Sequence, residues 1–316
     1  MNFAIWGAGG IGCYYGAKLQ KAGHRVTFIA RGDHLTALQE RGLSVSHPEF
    51  DFNDAVLAVG EDQWCQQYHC DQFDLIIICL KSNETAPALG RLSSWLGSGS
   101  CPLLSLQNGV DNEHQMARIV DPRRILGGLA VRIGAHVDAP GEVSATGVAQ
   151  VVFGPWAIES NERLQAFSET LLQEFKSAQI DTTLSHNIRH DLWCKLLINV
   201  GVNPISVLTQ WDSKKIMRHP IYSQLVYQIM QETAKAACYD EVEVTESDVE
   251  KMYELIRNFD AIKTSMLVDF EKGRPIERDA LCGAVLSRCE KLGVDAPTTK
   301  WVDNLLARKI DQQKVL

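Results

Sequence analysis

Asn2-Phe3-Ala4-Ile5-Trp6-Gly7-Ala8-Gly9-Gly10-Ile11-Gly12 opens the chain, a short apolar run that passes directly into G-x-G-x-x-G. This order predicts a buried strand, a glycine turn and a helix over residues 13–22 that stops at Gly23. Such a loop turns bare backbone and the positive end of a helix toward an anion. Gly7 allows the tight turn, Gly9 leaves out a side chain that would strike a phosphate, and Gly12 lets the helix lie close on the strand. Gly7, Ala8, Gly9, Gly10, Ile11 and Gly12 are therefore the expected phosphate-binding loop of a dinucleotide site.

The second predicted strand, residues 24–31, decides between dinucleotides. A fold that binds NAD places an Asp or Glu near the end of this strand to hold the ribose 2′-hydroxyl. Here Ala30 and Arg31 stand there, and Asp33 comes only later. A guanidinium suits a 2′-phosphate and offers nothing to accept a hydroxyl proton. Arg31 thus predicts NADP(H); the bland alternative is a solvated arginine at a strand end.

Further apolar runs follow at residues 43–46, 55–59, 75–80, 102–106 and 125–132, separated by amphipathic segments. Strands alternating with helices predict βαβ units and a parallel, doubly wound sheet. Residues 143–153, β-branched and interrupted by Gly147, read as an antiparallel excursion or hairpin at its end. A helix over 162–178 and a short strand over 180–184 complete this half. Beyond residue 186 the strand signal fades. Helical periodicity runs through 188–200, 220–238, 247–269, 279–291 and 298–310, with Pro204, Pro220, Pro275 and Pro297 near the expected boundaries. The predicted fold is α/β, an N-terminal Rossmann-type doubly wound sheet (residues 1–186) followed by an all-α domain (residues 187–316).

With 316 residues, 45% hydrophobic and 22% charged, the composition is that of an ordinary globular protein of two domains. A net charge of −8 argues against a nucleic-acid partner. A strand predicted from residue 2 leaves no room for a signal peptide, and no apolar run approaches the ~20 residues that span a bilayer. Nine scattered cysteines without any CxxC read as free thiols of a cytoplasmic protein. Cys65, His69 and Cys70 could be imagined as metal ligands, but no fourth partner stands at a recognisable spacing, and no metal is expected.

Several polar residues need a reason. Lys195, Asn199 and Asn203 recur at i, i+4 and i+8, which stacks them on one face of an otherwise apolar helix. Either that face meets solvent or it lines a polar cleft, since unpaired burial is costly. Lys81 and Asn108-Gly109 follow predicted central strands, where ligands of open α/β sheets sit; equally, one is a lysine after a strand and the other a good turn. Ser265 and Glu277 stand before apolar helical segments, where a carboxylate also favours the helix dipole.

These residues together resemble the ketopantoate reductase (2-dehydropantoate 2-reductase) family along nearly the whole chain. The carriers are the glycine loop, Arg31, Leu80-Lys81, Gln107-Asn108-Gly109, Leu192-Trp193-Cys194-Lys195-Leu196-Leu197-Ile198-Asn199, Val202-Asn203-Pro204, Thr264-Ser265-Met266-Leu267 and Lys272-Gly273-Arg274-Pro275-Ile276-Glu277. The resemblance implies a cleft between the two domains that closes on binding. It also implies NADPH phosphate contacts at Arg31 and Lys81, and Asn108 near the nicotinamide ribose and substrate. Lys195 resembles the catalytic acid. Asn199, Asn203 and Ser265 resemble substrate-holding groups, and Glu277 the partner of the reacting centre, the substrate hydroxyl and the cofactor. The implied reaction is NADPH-dependent reduction of ketopantoate to (R)-pantoate in pantothenate biosynthesis, by a monomer or homodimer without a membrane partner. Where many members read I-D-Y-x-N-G after the glutamate, this chain has Arg278-Asp279-Ala280-Leu281-Cys282-Gly283. An NADPH-dependent reductase of a different 2-oxo acid would share the fold and the lysine. A non-catalytic NADP(H) sensor would need the loop and Arg31 but not Lys195, Asn199, Asn203, Ser265 and Glu277.

Overall fold

The computed structural model describes residues 1–157 and 161–315. The chain divides into two compact units, Met1–Asn108 with Asn112–Ile188, and Gly109–Asp111 with Arg189–Leu316.

The first unit carries one sheet of ten strands: β1 Asn2–Trp6, β2 Arg25–Ile29, β3 Leu43–His47, β4 Phe50–Asp54, β5 Leu57–Val59, β6 Leu75–Ile78, β7 Leu103–Ser105, β8 Ile125–Ala139, β9 Glu142–Pro155 and β10 Thr182–Leu184. Its parallel part runs β5-β2-β1-β6-β7-β8. Numbered among themselves these strands are 3-2-1-4-5-6, the order of dinucleotide-binding sheets. Alternate residues of one strand enter opposite cores. Phe3, Ile5, Leu75 and Ile77 pack on one face, and Ala4, Trp6, Ile76 and Ile78 on the other. Helices cover both faces, which is why these strands read as unbroken apolar runs.

Three features depart from expectation. Residues 125–132 were expected as one more parallel strand, but β8 pairs with β7 only over Leu103↔Ile125 and Leu104↔Leu126. It then continues to Ala139 as an antiparallel partner of β9. At the register shift between Val131 and Ile133, Arg132 takes φ 55° and Gly147 φ 95°. A Cβ on Gly147 would lie 2.1 Å from the Arg132 carbonyl oxygen, so the glycine that interrupts the pattern makes room for a bulge. The second feature is β4, which pairs antiparallel with β3 and has no counterpart in the expected strand at 55–59. Its Phe50-Asp51-Phe52-Asn53-Asp54 alternates apolar and polar, a legible strand signal.

The third lies in the second unit, whose regular elements among the described residues are all helices. Ile188–Thr209 runs straight through Pro204, a predicted boundary. It is long and apolar enough to cross a membrane by length and composition, and 72% of its most apolar window is buried inside the protein. Tertiary burial thus outweighs the one hydrogen bond proline removes. Conversely, the expected helix over 247–269 is two, Glu246–Arg257 and Ser265–Glu271. Between them Ile262 exchanges hydrogen bonds with Ser213 (Ser213 N to Ile262 O 3.0 Å, Ile262 N to Ser213 Oγ 3.1 Å). Thr264 then caps the new helix, accepting from Leu267 N at 3.2 Å. Asp279–Gly283 forms a π-helical turn leading into Ala284–Leu292, and Pro297–Val315 closes the unit.

Candidate active site

In the first unit β1 feeds the glycine turn into the helix Gly10–Lys21. Gly7 adopts φ +102°, and a Cβ there would meet the Cys79 and Leu80 backbone at 2.8 Å. A Cβ on Gly12 would come within 2.4 Å of the Gly7 carbonyl oxygen. Both glycines are thus demanded by the protein itself. Gly9 is different. Its φ is −84°, open to any residue, and a Cβ would meet no protein atom within 4 Å. No side chain caps the helix at Gly9 and no acid stands in its first turn. An open space in front of uncapped helical N–H groups has room for an anion, and the fold itself makes no demand for a glycine at position 9. We expect Gly9→Ala to melt at the wild-type temperature yet lose most dinucleotide affinity, whereas Gly12→Ala loses ~1–3 kcal/mol of stability through overpacking. Thermal melts with and without dinucleotide check both; unaltered binding by Gly9→Ala would show that the space serves no ligand.

Arg31 lies just past β2 with 84% of its side chain exposed, its Nη1 3.3 Å from Glu84 Oε2. An exposed pair of this kind is worth about 0–1 kcal/mol. The guanidinium is therefore easily given over to a stronger anion. Lys81, exposed, is the N-cap of Ser82–Arg91 after β6. β1 and β6 flank the point at which the strand order reverses, so their carboxyl ends bring the glycine loop and Lys81 to the crevice used by ligands of such sheets.

Asn108 is held by residues the sequence reading passed over. Its carbonyl accepts from Asn112 Nδ2 at 2.9 Å, and Asn112 Oδ1 accepts from Thr85 Oγ1 at 3.1 Å. Gln107 Nε2 donates both to Thr85 Oγ1 (2.7 Å) and to the Leu80 carbonyl (2.9 Å). Thr85, Gln107 and Asn112 are buried. A satisfied buried network of this sort fixes the segments after β6 and β7 against each other. Only Gln107 carried a signal, as part of the Gln-Asn-Gly run.

In the second unit Lys195, Asn199 and Asn203 follow one another along Ile188–Thr209, the first two half-buried and Asn203 buried. Asn203's carbonyl accepts from Ser206 Oγ at 3.1 Å, and Ser206 Oγ in turn bonds Thr264 Oγ1. That bond draws the start of Ser265–Glu271, and with it the exposed Ser265, to the turn bearing Asn203. Glu277 is buried and close enough to Lys195 for its charge to act on the ammonium. Burial lowers Lys195 to about 8 from its ordinary value, and Glu277 opposes the shift without cancelling it. The unit therefore joins Lys195 to Glu277 and Asn203 to Ser265, with Asn199 between them along the helix.

The group Cys65, His69, Cys70 is occupied otherwise. His69 Nδ1 accepts from Asp71 N at 3.3 Å, and Arg124 Nη2 lies 3.7 Å from Cys70 Sγ, where a cation would be repelled. All nine cysteines, each among the described residues, are free.

A Rossmann-type sheet with an uncapped glycine loop, followed by a helical unit whose half-buried lysine is shifted down, is the arrangement of an oxidoreductase. The family described as ketopantoate reductase PanE/ApbA matches residues 3–157, and its C-terminal counterpart matches residues 187–309. The chain belongs to the ketopantoate reductase family. It is 28% identical over 300 residues to the 2-dehydropantoate 2-reductase of Pyrococcus abyssi, covering 94% of each chain. The crystal structure of a PanE/ApbA family ketopantoate reductase from Ralstonia eutropha superposes with a TM-score of 0.86 at 27% identity, covering 99% of this chain and 100% of that one. D-mandelate dehydrogenase, solved with NADH and anilino(oxo)acetate, gives 0.88 over 99% and 100% of the two chains; at 23% identity it speaks to the fold alone.

Proposed function

We propose that this protein reduces ketopantoate to (R)-pantoate with NADPH, the reductive step of pantothenate biosynthesis, in the cytoplasm. The observation that carries the reading is Lys195, an ammonium eased toward proton release by burial and held beside a buried carboxylate. A reduced nicotinamide, when bound, supplies the hydride. The glycine loop would cradle the pyrophosphate, Arg31 and Lys81 the remaining phosphate charge, and Asn108 the ribose near the substrate.

Lys195 as ammonium stabilises the oxygen on which negative charge develops when the 2-oxo group is reduced, then gives it a proton. Glu277 keeps the ammonium charged and oriented and accepts a hydrogen bond from the substrate hydroxyl. Asn199, Asn203 and Ser265 supply neutral hydrogen bonds to the carboxylate and hydroxyl, which fix the carbonyl without neutralising Lys195. After transfer the neutral amine recovers its proton from water.

A second reading, reduction of a different 2-oxo acid, is favoured by the segment after Glu277. There Arg278 forms a two-pronged pair with Asp303 (2.6 and 2.6 Å), and Cys282 is buried within a π turn. The test is NADPH oxidation with ketopantoate beside 2-oxoisovalerate, with NADH as control cofactor. Turnover with ketopantoate and NADPH alone is expected. Binding of NADPH with ketopantoate ignored would leave the dinucleotide assignment standing and transfer the reading to another 2-oxo acid.

A further inference from the structure

We propose that Arg288 is a positioning residue for the reaction: through Asp111 it holds the three residues that follow Asn108, and so fixes the backbone at Asn108. The proposal rests on the reading of Asn108 as a ribose and substrate contact. Asn108 and Asn112 belong to the sheet unit, whereas Gly109, Val110 and Asp111 between them belong to the helical unit. Two anchors hold them there. Gly109 takes φ +96°, and a Cβ on it would lie 3.2 Å from the Ala280 carbonyl oxygen, so bare backbone is packed on the π turn. Asp111 Oδ1 accepts from Arg288 Nη2 at 2.7 Å.

Arg288 is built into the helical unit. It stands on Ala284–Leu292, and only 8% of its side chain is exposed. Its Nε donates to Asp240 Oδ2 at 2.9 Å, and its Nη1 to the Ala284 carbonyl at 3.3 Å. The guanidinium carbon is 5.4 Å from the centre of the buried Trp193 ring, two residues before Lys195 on Ile188–Thr209. One rigid fork therefore joins the helix bearing Lys195, the residues next to Asn108 and, through its own helix, the π turn after Glu277. A lysine, a point charge on a flexible stem, would not hold two carboxylates in that geometry.

Charge neutralisation accounts for Asp240 but not for Asp111. Asp240, with 4% of its side chain exposed, already balances the buried guanidinium, whereas Asp111 is 35% exposed. A pair with one partner that open adds little to stability. What the second arm does fix is the course of the chain. With Gly109 packed and Asp111 held, the chain passes on to Asn112, whose Nδ2 donates to the Asn108 carbonyl at 2.9 Å. The loop at Asn108 is thus tied twice, by the Thr85–Gln107–Asn112 network and by Arg288.

Three variants of the full chain test this. Asp111→Ala removes the second arm and leaves Arg288 paired with Asp240, Asp111→Glu keeps a carboxylate, and Glu254→Ala, which breaks an exposed pair with Arg257, is the control. Each is read by thermal melting, by amide hydrogen exchange over residues 107–112, and by steady-state kinetics with NADPH and whichever 2-oxo acid the wild type reduces. For Asp111→Ala we expect wild-type melting and NADPH affinity, and faster exchange over 107–112. Its kcat/KM falls by up to about a hundredfold, the effect of displacing a group by ~1 Å, with the loss carried by kcat. Asp111→Glu recovers most of that loss, and Glu254→Ala matches the wild type throughout. Unchanged exchange or unchanged kcat/KM in Asp111→Ala overturns the proposal. So does a fall in kcat/KM that merely accompanies a lowered melting temperature and that Asp111→Glu does not rescue. A wild type that reduces no 2-oxo acid refutes instead the reading of the site, and exchange over 107–112 still decides whether Arg288 holds the loop.

Discussion

Lys195→Ala lowers turnover by ~10²–10⁴, the usual contribution of a positioned general acid, and leaves dinucleotide affinity nearly unchanged. The pH profile is the sharper readout. Lys195 lies at about 8, and only its protonated form can donate, so turnover falls as pH rises through that value. Lys195→Arg keeps a cation that cannot surrender its proton, and should be nearly as slow as the alanine variant. The same shift acts on stability with a definite sign. The folded-state value lies below that of the free side chain, so the charged lysine costs the native state up to about 3 kcal/mol below pH 8. That cost is relieved as pH rises from about 8 toward 10.5. Wild-type turnover in Lys195→Ala, or a profile flat across this range, removes the residue from the mechanism.

Arg31→Ala is expected to weaken NADPH by roughly 10- to 100-fold, the worth of hydrogen bonds to a charged group, and NADH scarcely at all. The guanidinium stands exposed at the end of β2 with Glu84 beside it. Bringing it onto a phosphate therefore breaks a weak, exposed pair. Glu84→Gln removes that competitor and should tighten NADPH slightly. Titration of both dinucleotides by fluorescence separates the possibilities: equal weakening of NADH and NADPH by Arg31→Ala would mean that Arg31 does not read the 2′-phosphate.

The parallel sheet was legible because strands covered on both faces leave apolar runs such as Leu75–Ile78, and because Gly7 and Gly12 announce the turn. The β8–β9 ribbon was half legible: Gly147 signalled an irregularity, but nothing local says that a strand beginning parallel at Ile125 will outrun its neighbour and pair the other way. Pro204 misled, since the burial that carries a helix through it is a property of the packed unit rather than of the dipeptide. The opposite error at 258–264 came from periodicity continuing across a segment whose backbone is claimed by the distant Ser213. Spacing was enough to line up Lys195, Asn199 and Asn203 along one helix. The supports of Asn108, namely Thr85 and Asn112, were silent because each looks like an ordinary helix residue until the ends of two strands bring them together.

The π turn at Asp279–Gly283 amounts to one residue more than a regular helix would hold, placed one residue after Glu277. Each residue of a helix advances it by about 100°, so deleting Ala280 would rewind the turn and rotate everything downstream against the glutamate. The Arg278–Asp303 pair lies across that same joint and would have to be remade. A single codon gained or lost here would rotate Ala284–Leu292 against Glu277 while the sheet and the Ile188–Thr209 helix stay as they are. If Glu277 meets the substrate as proposed above, chain length at this joint, as well as side-chain identity, would be a route by which substrate choice changes.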